Sequence, residues 1–156
     1  MKLDRLDAIL LGVITVFVAA YTWATFSFAT VPFEDAAILM RFADHMAQGH
    51  GIVWNIGDKP IDGATDFLFL VTLGWLGMAG LDIPDGVHAV GIGSHLLTCL
   101  LVYFAIRKLH GAPRWMAVLS AIYLAIGPAL RQVEGGFGAP YFALFAATCW
   151  YLAYQV

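Results

Sequence analysis

Between Pro32 and Asp66 the chain gathers side chains that can move protons, bind phosphate or hold a cation. Glu34 and Asp35 form an acidic pair, and a carboxylate within reach of a hydroxyl can act as a general base. Arg41, Asp44, His45 and Gln48 follow, then His50, Asn55, Asp58, Lys59, Asp62, Thr65 and Asp66. Hard cations take carboxylates and zinc takes imidazole, so Asp35, His45, His50 and Asp62 come into question as ligands. They lack the tight spacing of a metal motif, so no metal ligand set is assigned. A divalent cation bridging a substrate phosphate stays open as a cofactor.

These groups need elements to hold them. The run FEDAAILMRFADHMAQGHG reads as a helix over about 34–48, stopping at Gly49 or Gly51. At 100° per residue, Ile38, Leu39, Phe42 and Met46 share one arc, while Arg41, Asp44, His45 and Gln48 share the other. Such a helix is expected to lie along a membrane face with its apolar stripe down. In its first turn Glu34 and Asp35 have a plain role, complementing the helix macrodipole by about 0.3–1 kcal/mol. Against that, Asp35 projects into the apolar arc, at the membrane boundary, where a carboxylate suits proton abstraction. Glu34 projects toward Arg41 and His45. Gly49, Gly51, Gly57, Pro60 and Gly63 make the following stretch rich in turns.

Composition sets the solvent. Apolar residues make up 61% of the 156 and charged residues 12%, where soluble domains run at about 45–50% and 25%. The chain is an all-α, polytopic membrane protein on this reading. A net charge of −3 without clustered Lys and Arg excludes nucleic acid as partner. Cys99 and Cys149 lie within apolar runs and read as small hydrophobes.

Four segments suit membrane crossing: about 8–29, 87–106, 114–130 and 139–156. The first is too long for a cleaved signal peptide and reads as a retained anchor. Residues 67–81 are apolar but fall below the roughly 17 residues of an untilted span. Charge placement decides their role, because Lys and Arg flanking spans stay in the cytoplasm. Lys2 and Arg5 put the N-terminus inside and residues 30–66 outside. A crossing by 67–81 would put Arg107, Lys108 and Arg114 outside, whereas an interfacial helix at about 66–81 makes 107–113 a cytoplasmic hairpin. The second arrangement obeys the rule twice and is the one expected. It also carries Arg131 and Glu134, in an outer loop over 131–138, to the side of the acidic pair. His88 and His95 lie seven apart on one helix face and read as packing residues, His95 through hydrogen bonds between helices. The last segment ends without a basic anchor, so the chain reads as the N-terminal part of a longer one.

The text FEDAAILMRFADHMAQGHGIVWN, followed by DGATDFLF, resembles the GT-C superfamily of membrane glycosyltransferases, especially its arabinofuranosyltransferase-like and protein-mannosyltransferase-like members. Those enzymes show an acidic pair before an interfacial helix, a Gly-His-Gly turn, and a Gly-x-Thr step into an apolar segment. The hairpin RKLHGAPR, the GPAL end of the third span and EGGFGAPYFALF extend the resemblance over most of the chain, with lower specificity. It implies transfer of a sugar from a polyprenyl phosphate carrier to a glycan or protein acceptor outside the cytoplasmic membrane. Glu34 or Asp35 would then take the proton of the acceptor hydroxyl as the lipid phosphate leaves from the opposite face, with inversion at the anomeric carbon. Two departures stand out. The family places Asp where this chain has Glu34, and a Gly-Leu-Glu step where it reads Gly136, Phe137, Gly138. Either Glu134 takes the place of that acid or the contact is lost. Arg131 is the candidate for the donor phosphate, since a guanidinium binds phosphate oxygens in a fork, and its alternative role is an interfacial anchor.

The reading is therefore an inverting, polyprenyl-phosphate-sugar-dependent glycosyltransferase module of the cytoplasmic membrane, serving cell envelope biosynthesis. Glu34 and Asp35 are the catalytic candidates; Arg41, His50, Asn55, Lys59, Asp62, Thr65, Arg131 and Glu134 are the substrate-binding ones. The rival is a non-catalytic membrane subunit that works by packing against a protein partner.

Overall fold

The computed structural model describes residues 4–61 and 65–155. Among them every regular element is a helix: α1 (Arg5–Thr25), α2 (Glu34–Ala47), α3 (Phe67–Met78), α4 (Ile83–His110), α5 (Arg114–Ala125), α6 (Ala129–Glu134) and α7 (Ala139–Ala153). Three stretches are long and apolar enough to cross a membrane: α1, α4, and α5 continued through α6. At 15 residues α7 extends about 22 Å, short of a 30 Å hydrocarbon core, so the fourth expected span is shorter than its apolar run suggested. α3 ends at Met78 after 12 residues, shorter than the expected 66–81 and, at about 18 Å, short of a hydrocarbon core. The second span is longer than expected, since α4 starts at Ile83, with Pro84 in its first turn, and runs to His110, where Gly111 in the left-handed region closes it.

The spans pack through small residues. Ala117, Ala121 and Ala125 recur every four residues on α5 and are fully buried against Ile14 and Val18 of α1 and Cys99 and Tyr103 of α4. Without a hydrophobic drive between helices in lipid, close backbone approach is what binds them. The third span breaks at Ile126–Pro128, because Pro128 brings no N–H for the next helical bond. His95 Nε2 lies 3.3 Å from the carbonyl of Ala125 at that break, the interhelical bond expected of it. His88 instead packs edge-on to Phe26 and Phe28.

Ion pairs fix which ends meet. Asp7, with no exposed surface, accepts hydrogen bonds from the Tyr103 hydroxyl at 2.8 Å, Arg107 Nε at 3.1 Å and Arg114 Nε at 3.2 Å. Arg114 also pairs with Asp4, and the Asp4 N–H completes a capping box with Asp7. The start of α1 thus lies at the α4–α5 hairpin. At the opposite end the Ser27 N–H donates to Glu134 Oε1 at 2.7 Å, tying the exit of α1 to α6.

Candidate functional site

The loop end is organised around the turn Gly135–Gly138. The Phe33 N–H donates to the Gly135 carbonyl at 3.0 Å, which seats the start of α2 beside α6. Gly136 adopts φ +90, where side chains are strained, and a Cβ there would stand 2.8 Å from both Ala36 and Met40. A Cβ at Gly138 would meet the Phe69 ring at 2.8 Å and Asp66 Oδ2 at 3.0 Å. Three elements, α2, α3 and α7, therefore converge on backbone that only glycine can supply.

Glu34 and Asp35 open α2 there, both exposed and neither holding a side-chain partner among the described residues. Arg131, exposed on α6 just before the same turn, is likewise without a side-chain partner. It lines a recess of about 380 Å³ with Tyr21, Thr25, Pro128 and Glu134. The segment 131–134 is helical rather than loop, which aims its side chains by helical register.

The apolar face of α2 is not turned to lipid. Leu39, Phe42 and Ala43 are buried against Phe69, Leu70 and Leu73 of α3. Gly74 and Gly77 let the two helices touch: added Cβ atoms would fall 2.7 Å from Met46 Sδ and 2.6 Å from Ala47 Cβ. A helix that is apolar on all sides, as α3 is, covers the stripe better than a membrane surface would. Asp35, expected at the membrane boundary, is exposed at the open edge of this pair.

Several expected substrate ligands serve the loop instead. Arg41 Nε donates to the Trp54 carbonyl at 3.0 Å, its guanidinium lies 4.5 Å from the Trp54 ring centroid, and Nη2 reaches Asn55 at 3.4 Å. Asn55 in turn donates to Asp58 at 2.9 Å. Buried His45 contacts the Val53 carbonyl through Nδ1 at 2.8 Å. Together these fold residues 48–58 back onto α2. His50 stands between Gly49 and Gly51, both in the left-handed region at φ +82 and +80, which explains the Gly-His-Gly text. Its ring packs edge-on to His45. Lys59 is exposed without a partner among the described residues, Thr65 sits beside the α3–α7 cavity, and Asp62 lies outside the described residues. Glu134 is committed to Ser27.

No family model, curated protein or solved structure matches the chain. The site accordingly rests on its own geometry. That geometry brings Glu34, Asp35, Arg131 and Glu134 to one turn, and sets Arg41 and Asn55 apart as scaffolding. Among the described residues no three of His, Cys, Asp and Glu come together as a metal site. Asp66, a polar loop residue left outside the substrate-binding candidates, stands at the N-cap of α3. The structure gives it no capping hydrogen bond.

Proposed function

We propose that the chain is the catalytic-loop module of an inverting glycosyltransferase that uses a polyprenyl-phosphate-linked sugar at the outer face of the cytoplasmic membrane. The carrying observation is the hydrogen bond from Phe33 to Gly135, beside which two carboxylates and, before the turn, a guanidinium stand unpaired among the described residues. A base and a phosphate ligand must flank the anomeric carbon on opposite faces for in-line displacement, and an acid–arginine pair on two helices at one end suits that demand. Glu34 or Asp35 would accept the hydroxyl proton of a glycan or protein acceptor. Arg131 would hold the departing phosphate, with the donor's prenyl chain in the bilayer.

Sidedness follows from charge. Arg5, Arg107, Lys108 and Arg114 gather where α1 starts and α4 meets α5, and the rule for flanking bases makes that end cytoplasmic. Segments 26–66, 82–85 and 131–134 hold nine of the eleven acids, and belong outside.

The test is sugar transfer from a panel of polyprenyl-phosphate sugars in membranes carrying the wild type, Glu34→Gln, Asp35→Asn or both. Transfer that disappears in the double variant, with membrane assembly intact, supports the proposal. Wild type and double variant behaving alike would favour the rival, a non-catalytic subunit that binds a membrane protein partner. What speaks for that rival is the use of Arg41 and Asn55 to hold a loop rather than a ligand.

A further inference from the structure

Apart from the residues of that reaction, the loop end holds a second cavity with a different lining. Between the starts of α3 and α7 a cavity of about 520 Å³ is walled by Phe69, Tyr141, Phe142 and Phe145, with Thr65 and Asp66 at its rim. The aromatic wall is held in shape. Tyr141 lies 5.6 Å from Phe69 and 4.9 Å edge-on from Phe145, ring centroid to ring centroid, and its hydroxyl is 2.9 Å from Thr72 Oγ1.

Asp66 is the only charged residue lining this cavity among the described residues. It stands at the N-cap of α3, where an Asp ordinarily accepts a backbone N–H of the first turn, and it makes no such bond. No side-chain hydrogen bond or ion pair among the described residues engages it either. Its Oδ2 instead lies over Gly138, 3.0 Å from where a Cβ would stand, so the glycine keeps that space open. An uncompensated carboxylate beside a group of aromatic rings attracts a cation and repels an anion, and the rings add their quadrupole to the pull on an ammonium within about 6 Å.

We infer that this cavity binds the ammonium headgroup of a zwitterionic phospholipid, the amine between Asp66 and the aromatic wall. Lipid rather than a soluble amine is indicated by the surroundings. Phe67, Leu68 and Phe142 are exposed around the mouth, making its outer wall continuous with the apolar surface of α3 and α7 that faces the bilayer. Acyl chains would follow that surface while the headgroup turns in at the helix starts. Glu34, Asp35 and Arg131 do not line it, and of the substrate-binding candidates only Thr65 reaches its rim.

The purified full chain in nanodiscs tests this, with phosphatidylethanolamine and phosphatidylglycerol of identical acyl chains competing and the bound lipid read by native mass spectrometry. Wild type is expected to retain the ethanolamine lipid at least tenfold over the glycerol lipid, and Asp66→Asn to bring that ratio close to one. Phe145→Ala, on the open wall, is expected to lower retention several-fold at unchanged helix content, which keeps the result readable if Asp66→Asn misfolds. Equal retention of the two lipids by wild type would overturn the inference, as would an unchanged ratio in folded Asp66→Asn. Displacement of the lipid by millimolar phosphoethanolamine alone would transfer the site from lipid to soluble amine and likewise overturn it.

Discussion

Asp7 and Asp35 each sit in the first turn of a helix, and their fates are opposite. Asp7 is enclosed by Tyr103, Arg107 and Arg114 and exposes nothing, whereas Asp35 stands in the open without a partner. At the basic end every buried charge is matched, and the result is a joint that welds α1 to the α4–α5 hairpin. At the acidic end Glu34, Asp35, Asp66 and Arg131 are left unmatched among the described residues, on elements that meet closely at glycines. The lesson is that a charge whose partners are already present is structural, while one left free on a fixed scaffold is available to a ligand.

Substitutions sharpen that contrast. The largest effect is expected from Asp7→Ala, which strands the buried Arg107 guanidinium while Arg114 keeps Asp4, and should cost about 3–5 kcal/mol in a reversible unfolding measurement. A loss under 1 kcal/mol would break the contrast. Next comes Gly138→Ala, whose methyl would meet Phe69 and Asp66; about 1–3 kcal/mol of destabilisation is expected from such overpacking. Gly93→Ala, with nothing within 4 Å, serves as its control and should be neutral or stabilising. His95→Leu removes one interhelical bond, worth about 0.6 kcal/mol by the average for such bonds, and should shift the melting temperature only slightly. Smallest of all, Glu34→Gln with Asp35→Asn should stay within about 0.5 kcal/mol of wild type, as exposed sites do. A large destabilisation there would assign the pair to structure instead of chemistry.

Much of the arrangement is legible in the text of the chain because it follows from period and length. The helix over 34–48 appears as Glu34–Ala47, and the 67–81 run is too short to cross. The hairpin bases Arg107 and Arg114 do share an end with the start of α1, through Asp7. What escapes the sequence depends on partners distant along the chain. Asp7 reads as an ordinary first-turn acid until Arg107, a hundred residues later, is seen beside it. The stripe of α2 reads as membrane-facing until Gly74 and Gly77 bring α3 against it. Arg41 and Asn55 read as ligands because nothing local shows that the loop folds back onto them. Asp66 was hidden for the opposite reason, since its position promises a cap that the backbone does not take.

Cysteine labelling in intact cells tests the central claim most directly, with Cys149 first replaced by Ser and single cysteines placed at Ile56, Gln132 and Pro113. A membrane-impermeant thiol reagent is expected to reach Ile56→Cys and Gln132→Cys from outside, and Pro113→Cys only after the cells are opened. Labelling of Pro113→Cys in intact cells, or of Ile56→Cys and Gln132→Cys from opposite sides, would part the carboxylates from the arginine by a bilayer and contradict the account.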